Sequence, residues 1–129
     1  MEHLEPTRAY QFLQRHREAL FVDCRSELEV AFVGYPLGSV NVPWNDGPAM
    51  ARNAQFAAQV RKFGGGASRP VVLICRSGNR SVEAGEELER AGFSSVYNVL
   101  HGFEGELDQN NQRNTRSGWR FEGLPWEQT

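Results

Sequence analysis

One cysteine and two arginines stand close together in Cys75-Arg76-Ser77-Gly78-Asn79-Arg80, followed at once by Ser81. The chemistry that this grouping suits is nucleophilic attack by sulfur. A tight polar loop that opens a helix turns several backbone N–H groups inward, and the helix N-terminus adds partial positive charge. A cysteine in such a cradle, beside Arg76 and Arg80, should have a depressed pKa and be thiolate near neutral pH. The same donors would stabilise an anionic sulfur species carried on it. Gly78 lets the loop turn with its backbone exposed. Ser77 and Ser81 add hydroxyl donors, and Asn79 completes the loop. The alternative is a Cys75 that merely fills the core at a strand end. The arginines argue against it, since charge is a poor neighbour for a purely apolar site.

The elements that must position this loop can be read on either side of it. Val71-Val72-Leu73-Ile74 is a short apolar run, three of its four residues β-branched, and predicts a buried strand ending at the cysteine. From Ser81 a helix is expected, closed by Gly92 just past its end. Val82, Gly85 and Leu88 are expected to face the sheet, and Glu86 and Arg90 to pair on the wet side. Upstream, a helix is expected over Pro6 to Arg17, with Ala9, Phe12, Leu13 and a partly buried His16 on one face. Leu20 to Arg25 reads as a strand, Ser26 to Phe32 as a short helix and Ser39 to Val42 as a strand stopped by Pro43. Asn45-Asp46-Gly47-Pro48 signals a turn, and Phe56, Val60 and Phe63 mark a helix over Asn53 to Phe63. Gly64 to Ser68 reads as a flexible connector, because neither a preceding strand nor a Gly-Lys-Ser/Thr supports a phosphate loop. Ser95 to Val99 is the last clear strand. Strands alternating with helices predict an α/β fold with a mostly parallel sheet covered on both faces. All of this fits one domain spanning residues 1–129.

Cys75-x4-Arg80, in the form Cys-Arg-Ser-Gly-x-Arg-Ser, resembles the active-site loop of the rhodanese family of sulfurtransferases. Asp23-x-Arg25 at the end of the first main strand is a second hallmark of that family. Gly34 to Pro43 is similar to its Gly-His-Ile-Pro-Gly-Ala-x-Asn-Ile-Pro segment, with Tyr35 in place of the usual His and Pro36-Leu37 inverting the usual order. The Gly118-Trp119…Gly123-Leu124-Pro125 ending is also typical, separated from Phe103-Glu104-Gly105 by a polar insertion over residues 108–117 that reads as a surface loop. The resemblance implies a three-layer α/β/α sandwich with a mostly parallel sheet of four or five strands. It also implies a Cys75 persulfide as the sulfur carrier, with no cofactor and no metal. Dual-specificity phosphatases and arsenate reductases share the fold but have a loop one residue longer. Their pattern would need arginine at position 81, where this chain has Ser81. A shorter loop makes a smaller cradle, better suited to one sulfur atom than to a tetrahedral phosphate.

Supporting roles follow for the neighbouring residues. Asp23 should accept hydrogen bonds from nearby loops, and Arg25 should pair with Glu29 four residues on. Cys24 is a core filler or, on the sharper reading, a resolving thiol near Cys75, since reactive groups in open α/β sheets gather at the carboxyl ends of strands. Trp44 could line the site or cover the core edge. His101 lies after a strand's carboxyl end, where a surface loop position is the default and a proton shuttle the alternative.

Composition bounds the rest. The chain has 129 residues and a formal net charge of −2, which argues against a nucleic-acid or polyanion binder. No apolar run approaches a membrane span, and the acidic start, Met1-Glu2-His3-Leu4-Glu5-Pro6, lacks the character of a signal peptide. A cytoplasmic protein is expected. Two cysteines cannot build a disulfide framework, and a working thiol is easiest to keep in a reducing compartment. His3, His16 and His101 show no metal-ligand spacing. The expected function is transfer of a sulfane sulfur from a small donor such as thiosulfate to cyanide, a thiol or a protein acceptor. The alternatives are a thiol redox enzyme, a non-catalytic interaction module and, less favoured, a phosphatase or arsenate reductase.

Overall fold

The structure, a computed structural model, describes residues 1–64 and 68–129. Its elements in chain order are β1 (Glu2–Leu4), α1 (Pro6–Arg15), β2 (Leu20–Asp23), α2 (Glu27–Val33), β3 (Tyr35–Pro36), β4 (Val40–Asn41), β5 (Asn45–Asp46), β6 (Ala51–Arg52), α3 (Phe56–Lys62), β7 (Val71–Ile74), α4 (Arg80–Arg90), β8 (Val96–Val99) and β9 (Trp126–Glu127). The connector expected over Gly64 to Ser68 lies partly outside the described residues.

Five strands form one parallel sheet in the order β1-β8-β7-β2-β4. β7, which leads to Cys75, is the central strand, and all four of its residues are buried. This explains its continuous apolar sequence: a parallel strand covered on both faces has no solvent side on which to alternate. Strand geometry sends successive side chains to opposite faces. Val71, Leu73 and Cys75 therefore join one core with Leu20, Val22 and Cys24, while Val72 and Ile74 join the other with Phe21. On the first face lie Phe56 and Val60 of α3 and Ala84 and Leu88 of α4. On the second lie Ala9 of α1, Phe103, Trp119 and Leu124. Helices on both faces give the α/β/α layering that the pattern predicts.

Several local expectations are corrected. The acidic start is a strand: β1 pairs with β8 at the sheet edge, with His3 opposite Asn98. A three-residue strand carries too little periodicity to be seen in sequence. α1 stops at Arg15, leaving His16 as its exposed C-cap, stacked on Phe12 with centroids 4.3 Å apart. β4 and α3 are shorter than expected. Trp44 is buried core, edge-on to Phe56. In α4 the buried residues are Ser81, Ala84, Gly85 and Leu88, with Val82 only half-buried, and Arg90 pairs with Glu87, not Glu86. The 108–117 insertion is a surface loop organised by Asp108, whose carboxylate accepts from the Asn110 and Gln112 N–H groups and from the Thr115 hydroxyl. Beyond it, Trp119 and Leu124 return to the core and β9 pairs antiparallel with β3.

Candidate active site

The strand-loop-helix unit from β7 to α4 wraps its loop around one sulfur atom. Cys75 stands at the carboxyl end of β7 and is 1% exposed. Its Sγ accepts the Gly78 N–H at 3.1 Å and the Ser81 N–H at 3.4 Å, with the Ser81 hydroxyl at 3.2 Å. Gly78 has φ +105°, a conformation that favours glycine, and a Cβ there would meet the His101 backbone nitrogen at 3.2 Å. The turn that aims two N–H groups at sulfur thus depends on this glycine.

Cys24 holds the opposite side. The β2–β7 register pairs Asp23 with Ile74, so the next residues on each strand, Cys24 and Cys75, come side by side on the same face. The Cys24 thiol donates to the Ile74 carbonyl at 3.3 Å, and its interaction with the neighbouring Cys75 favours the thiolate form of Cys75. The two thiols titrate in opposite directions. Cys75 is lowered to about 5, first by the Cys24 thiol, with the Ser81 hydroxyl and the Ser81 and Gly78 N–H groups assisting against its burial. Cys24 is raised well above the ordinary thiol value by that same interaction and by burial. At neutral pH Cys75 is thiolate and Cys24 keeps its proton.

Ser81 also belongs to a chain of polar contacts leading outward. Its hydroxyl donates to Asn98 Oδ1 at 2.5 Å, and Asn98 Nδ2 lies 3.1 Å from His3 Nδ1. Asn98 is 1% exposed. A polar residue in an otherwise apolar strand is the sequence signal that marks this position.

Arg80 does not touch the sulfur. Its guanidinium forms two parallel bonds with the Glu29 carboxylate, at 2.7 and 2.8 Å. Glu29 is also the third residue of α2 and closes a capping box with Ser26. Burial works against its ionisation, but Arg80 and Ser26 hold its pKa down at about 2. The expected Arg25–Glu29 pair is therefore replaced by Arg80–Glu29. Arg25 instead folds back onto Asp23, with Nε–Oδ1 at 2.9 Å and Nη2–Oδ2 at 2.6 Å. Both are fully buried, and a buried charge needs its partner at contact distance. Arg25 also donates to the Gly34 carbonyl and lies over the Phe103 ring. Among the described residues the Asp23 Oδ atoms accept from Arg25 alone, not from neighbouring loops.

Arg76 and Asn79 are exposed, with Ser77 half-buried between them. With Ser26, Glu29, Met50 and Arg80 they line a cavity of about 550 Å³ outside the loop. His101 lies on another side, between Glu5 and Glu106, each at 3.5 Å. The segment after β8 grips the loop from behind: the Phe103 N–H donates to the Cys75 carbonyl and the Glu104 N–H to that of Arg76. Gly102 makes this approach possible, since a Cβ there would stand 2.4 Å from the Cys75 carbonyl oxygen.

Among the described residues, no group of three or more His, Cys, Asp or Glu side chains is placed to hold a metal ion, and no helix is long and apolar enough to cross a membrane. What the geometry offers is an activated thiolate, loop donors gathered on its sulfur, and an outer opening with an exposed arginine.

Comparison with known proteins identifies the family. A family model, the rhodanese-like domain, matches residues 5–107. The chain is 32% identical over 107 residues to thiosulfate sulfurtransferase 16, chloroplastic, of Arabidopsis thaliana, covering 81% of this chain and 77% of that protein. It resembles the crystal structure of Rv0390 from M. tuberculosis with a TM-score of 0.89 and 39% identity, over 100% of this chain and 98% of that one. The polysulfide-sulfur transferase homodimer of Wolinella succinogenes shares the fold, with a TM-score of 0.70 and 24% identity over 100% of this chain and 80% of that one. On the family match and the Arabidopsis relative, the chain belongs to the rhodanese-like domain family, to which sulfurtransferases belong.

Proposed function

We propose that the protein, acting as one domain, is a sulfurtransferase that carries a sulfane sulfur on Cys75. The observation that supports this best is the sulfur's setting: Cys75, lowered to about 5, sits beneath two loop N–H groups and a hydroxyl. The thiolate attacks the outer sulfur of a donor such as thiosulfate, the S–S bond of the donor breaks, and sulfite leaves with the bonding pair. The persulfide that forms is anionic and stays within reach of the loop donors, the logic of an oxyanion hole applied to sulfur. A thiophilic acceptor, cyanide or a thiol, then attacks the outer sulfur and restores the Cys75 thiolate. Ping-pong kinetics follow from the covalent intermediate.

The remaining residues divide the work. Arg76, exposed at the cavity, meets the anionic donor. Arg80, tied to Glu29, fixes the loop and supplies positive potential at short range. Ser77, Gly78, Asn79 and Ser81 shape the cradle, while Asp23 and Arg25 hold the adjoining strand end. The chemistry needs no cofactor or metal, because the cysteine carries the group. The substrates are a small sulfur donor and a thiol, cyanide or protein acceptor, with no role for nucleic acid or a membrane, and the reducing cytoplasm is the compartment that suits the thiolate. Intact mass of the reduced protein before and after thiosulfate tests the reading. Gain of one sulfur atom, reversed by cyanide and absent in Cys75→Ser, is expected. No adduct under reducing, metal-free conditions would refute it.

A further inference from the structure

The proposed cycle uses Cys24 only to favour the Cys75 thiolate, yet its position permits more. Neighbouring strands of a sheet lie roughly 4.8 Å apart, within the range of Cα separations that a disulfide spans. Cys24 and Cys75 continue the aligned β2–β7 register, and their side chains enter the same core. The Cys24 N–H donates to the Ile74 carbonyl at 2.9 Å, which carries the strand pairing up to the two cysteines, and both residues are shielded from water, at 0% and 1% exposure. Both are free thiols in this structure. A persulfide formed on Cys75 would therefore carry its inner sulfur directly beside a second thiol.

We propose that Cys24 resolves the Cys75 persulfide when no acceptor arrives, releasing sulfide and leaving a Cys24–Cys75 disulfide. The inference rests on the persulfide reading above. Cys24 Sγ attacks Cys75 Sγ, the inner sulfur. The new bond joins the two cysteine sulfurs, and the bond from Cys75 Sγ to the outer sulfur breaks. The outer sulfur leaves with the electron pair and takes the Cys24 proton, departing as hydrosulfide. The two thiols are oxidised to a disulfide and the sulfane sulfur is reduced to sulfide. Over both steps, thiosulfate, the Cys75 thiolate and the Cys24 thiol become sulfite, hydrosulfide and one disulfide. A low-molecular-weight thiol reductant returns the pair to its starting state.

The chemistry also sets the order of events. A thiolate is the effective nucleophile in exchange, and Cys24 keeps its proton at neutral pH. Resolution is thus slower than transfer to an external thiolate or cyanide, and it acts as a discharge route when acceptors are scarce. The retained proton is what the leaving sulfide needs.

The test uses the full chain, reduced, freed of reductant and kept anaerobic, with equimolar thiosulfate and no acceptor. Intact mass, free sulfide and the number of alkylatable thiols are followed over hours. The expected course for the wild type is gain of one sulfur, then its loss together with two hydrogens, with stoichiometric sulfide and no alkylatable thiol left. Cys24→Ser, which keeps a hydroxyl donor beside Cys75, should gain the sulfur and hold it without releasing sulfide; Cys24→Ala, with its Cys75 thiolate less favoured, should gain the sulfur more slowly and hold it likewise. A wild-type adduct as long-lived as that of Cys24→Ser, or sulfide released while Cys24 stays alkylatable, would overturn the proposal. If neither wild type nor Cys24→Ser gains sulfur, the persulfide reading fails and takes this proposal with it.

Discussion

Arg80 and Glu29 are 51 residues apart in sequence and meet fork to fork, through bonds of 2.7 and 2.8 Å. The pair ties the first turn of α4 to the first turn of α2, and so holds the loop against the neighbouring strand end. Bidentate geometry of this kind suits arginine and not lysine. Arg80→Lys should therefore lose about 1.5–3 kcal/mol in urea unfolding, the usual worth of hydrogen bonds to charged groups. The pH dependence has a definite sign. Glu29 is lowered from 4.5 to about 2 in the folded chain, so its ionised form stabilises the fold fully above pH 4.5. That contribution falls away as pH drops toward about 2. The stability difference between wild type and Glu29→Gln should be flat at neutral pH and shrink across that window. A difference that stays constant through it would contradict the assignment.

Asp23 and Arg25 form the second fixed pair, and here both groups are fully buried. Removing one partner of a buried pair leaves an uncompensated charge, typically at a cost of about 3–5 kcal/mol. Asp23→Ala should show a loss of that order in chemical denaturation, and lower activity only through misplacement of the strand end. Unchanged stability and activity would show that the pair positions nothing.

How far the sequence leads depends on the range of the interaction. The alternation of strands and helices, the buried β7 and the loop around Cys75 are local patterns, and all are visible in the chain. Partner choice is not local. Glu29 is four residues from Arg25 and 51 from Arg80, and helical spacing favours the wrong one. Arg25 precedes α2, so it is not on that helix's face, and the Asp23 carboxylate is nearer. The same holds for Cys24: its contact with Cys75 depends on strand order and register, which single-strand periodicity does not carry. The sequence does not single out Gly102 or Asn98, because each matters only through a segment that the fold brings against it. β1 is not legible in the sequence because its three residues become a strand only by pairing with β8.

The Cys24 thiol is the leading influence holding Cys75 at about 5. The thiolate should therefore persist as pH falls to about 5 and be protonated below it, so alkylation by iodoacetamide should show an inflection near that pH. Cys24→Ala removes the donor, and its inflection should move up toward the ordinary thiol range. Cys24→Ser should move it less, because a hydroxyl can still donate. Equal profiles in all three proteins would exclude the thiol-to-thiolate interaction as the cause.

Ser81 and Asn98 allow a test with opposite signs. The single Ser81 hydroxyl proton has two acceptors, Asn98 Oδ1 at 2.5 Å and the Cys75 sulfur at 3.2 Å. Ser81→Ala removes a donor from the thiolate and should raise the Cys75 inflection. Asn98→Leu, close in volume, removes the competing acceptor and leaves the hydroxyl only the sulfur, so it should lower the inflection. His3 is exposed at the far end of the chain of contacts, and Asn98→Leu costs it only one hydrogen bond. Shifts of the same sign in both variants would mean that general loosening of the site, not the placement of one proton, controls the thiolate.

Arg76 separates binding from chemistry. It is exposed at the cavity mouth and, among the described residues, has no ion pair to hold it elsewhere. A charge that steers and binds an anionic donor acts on the ground state and transition state alike, which raises KM when lost and leaves kcat little changed. An exposed charge contact is worth up to about 1 kcal/mol, so Arg76→Ala should raise the thiosulfate KM by about fivefold. The increase should narrow as salt is added, because the contact is open to screening. The Cys75 inflection should stay near its wild-type position, since Cys24, burial, Ser81 and Gly78 govern that thiolate. A fall in kcat with KM unchanged would move Arg76 from donor binding to persulfide formation itself.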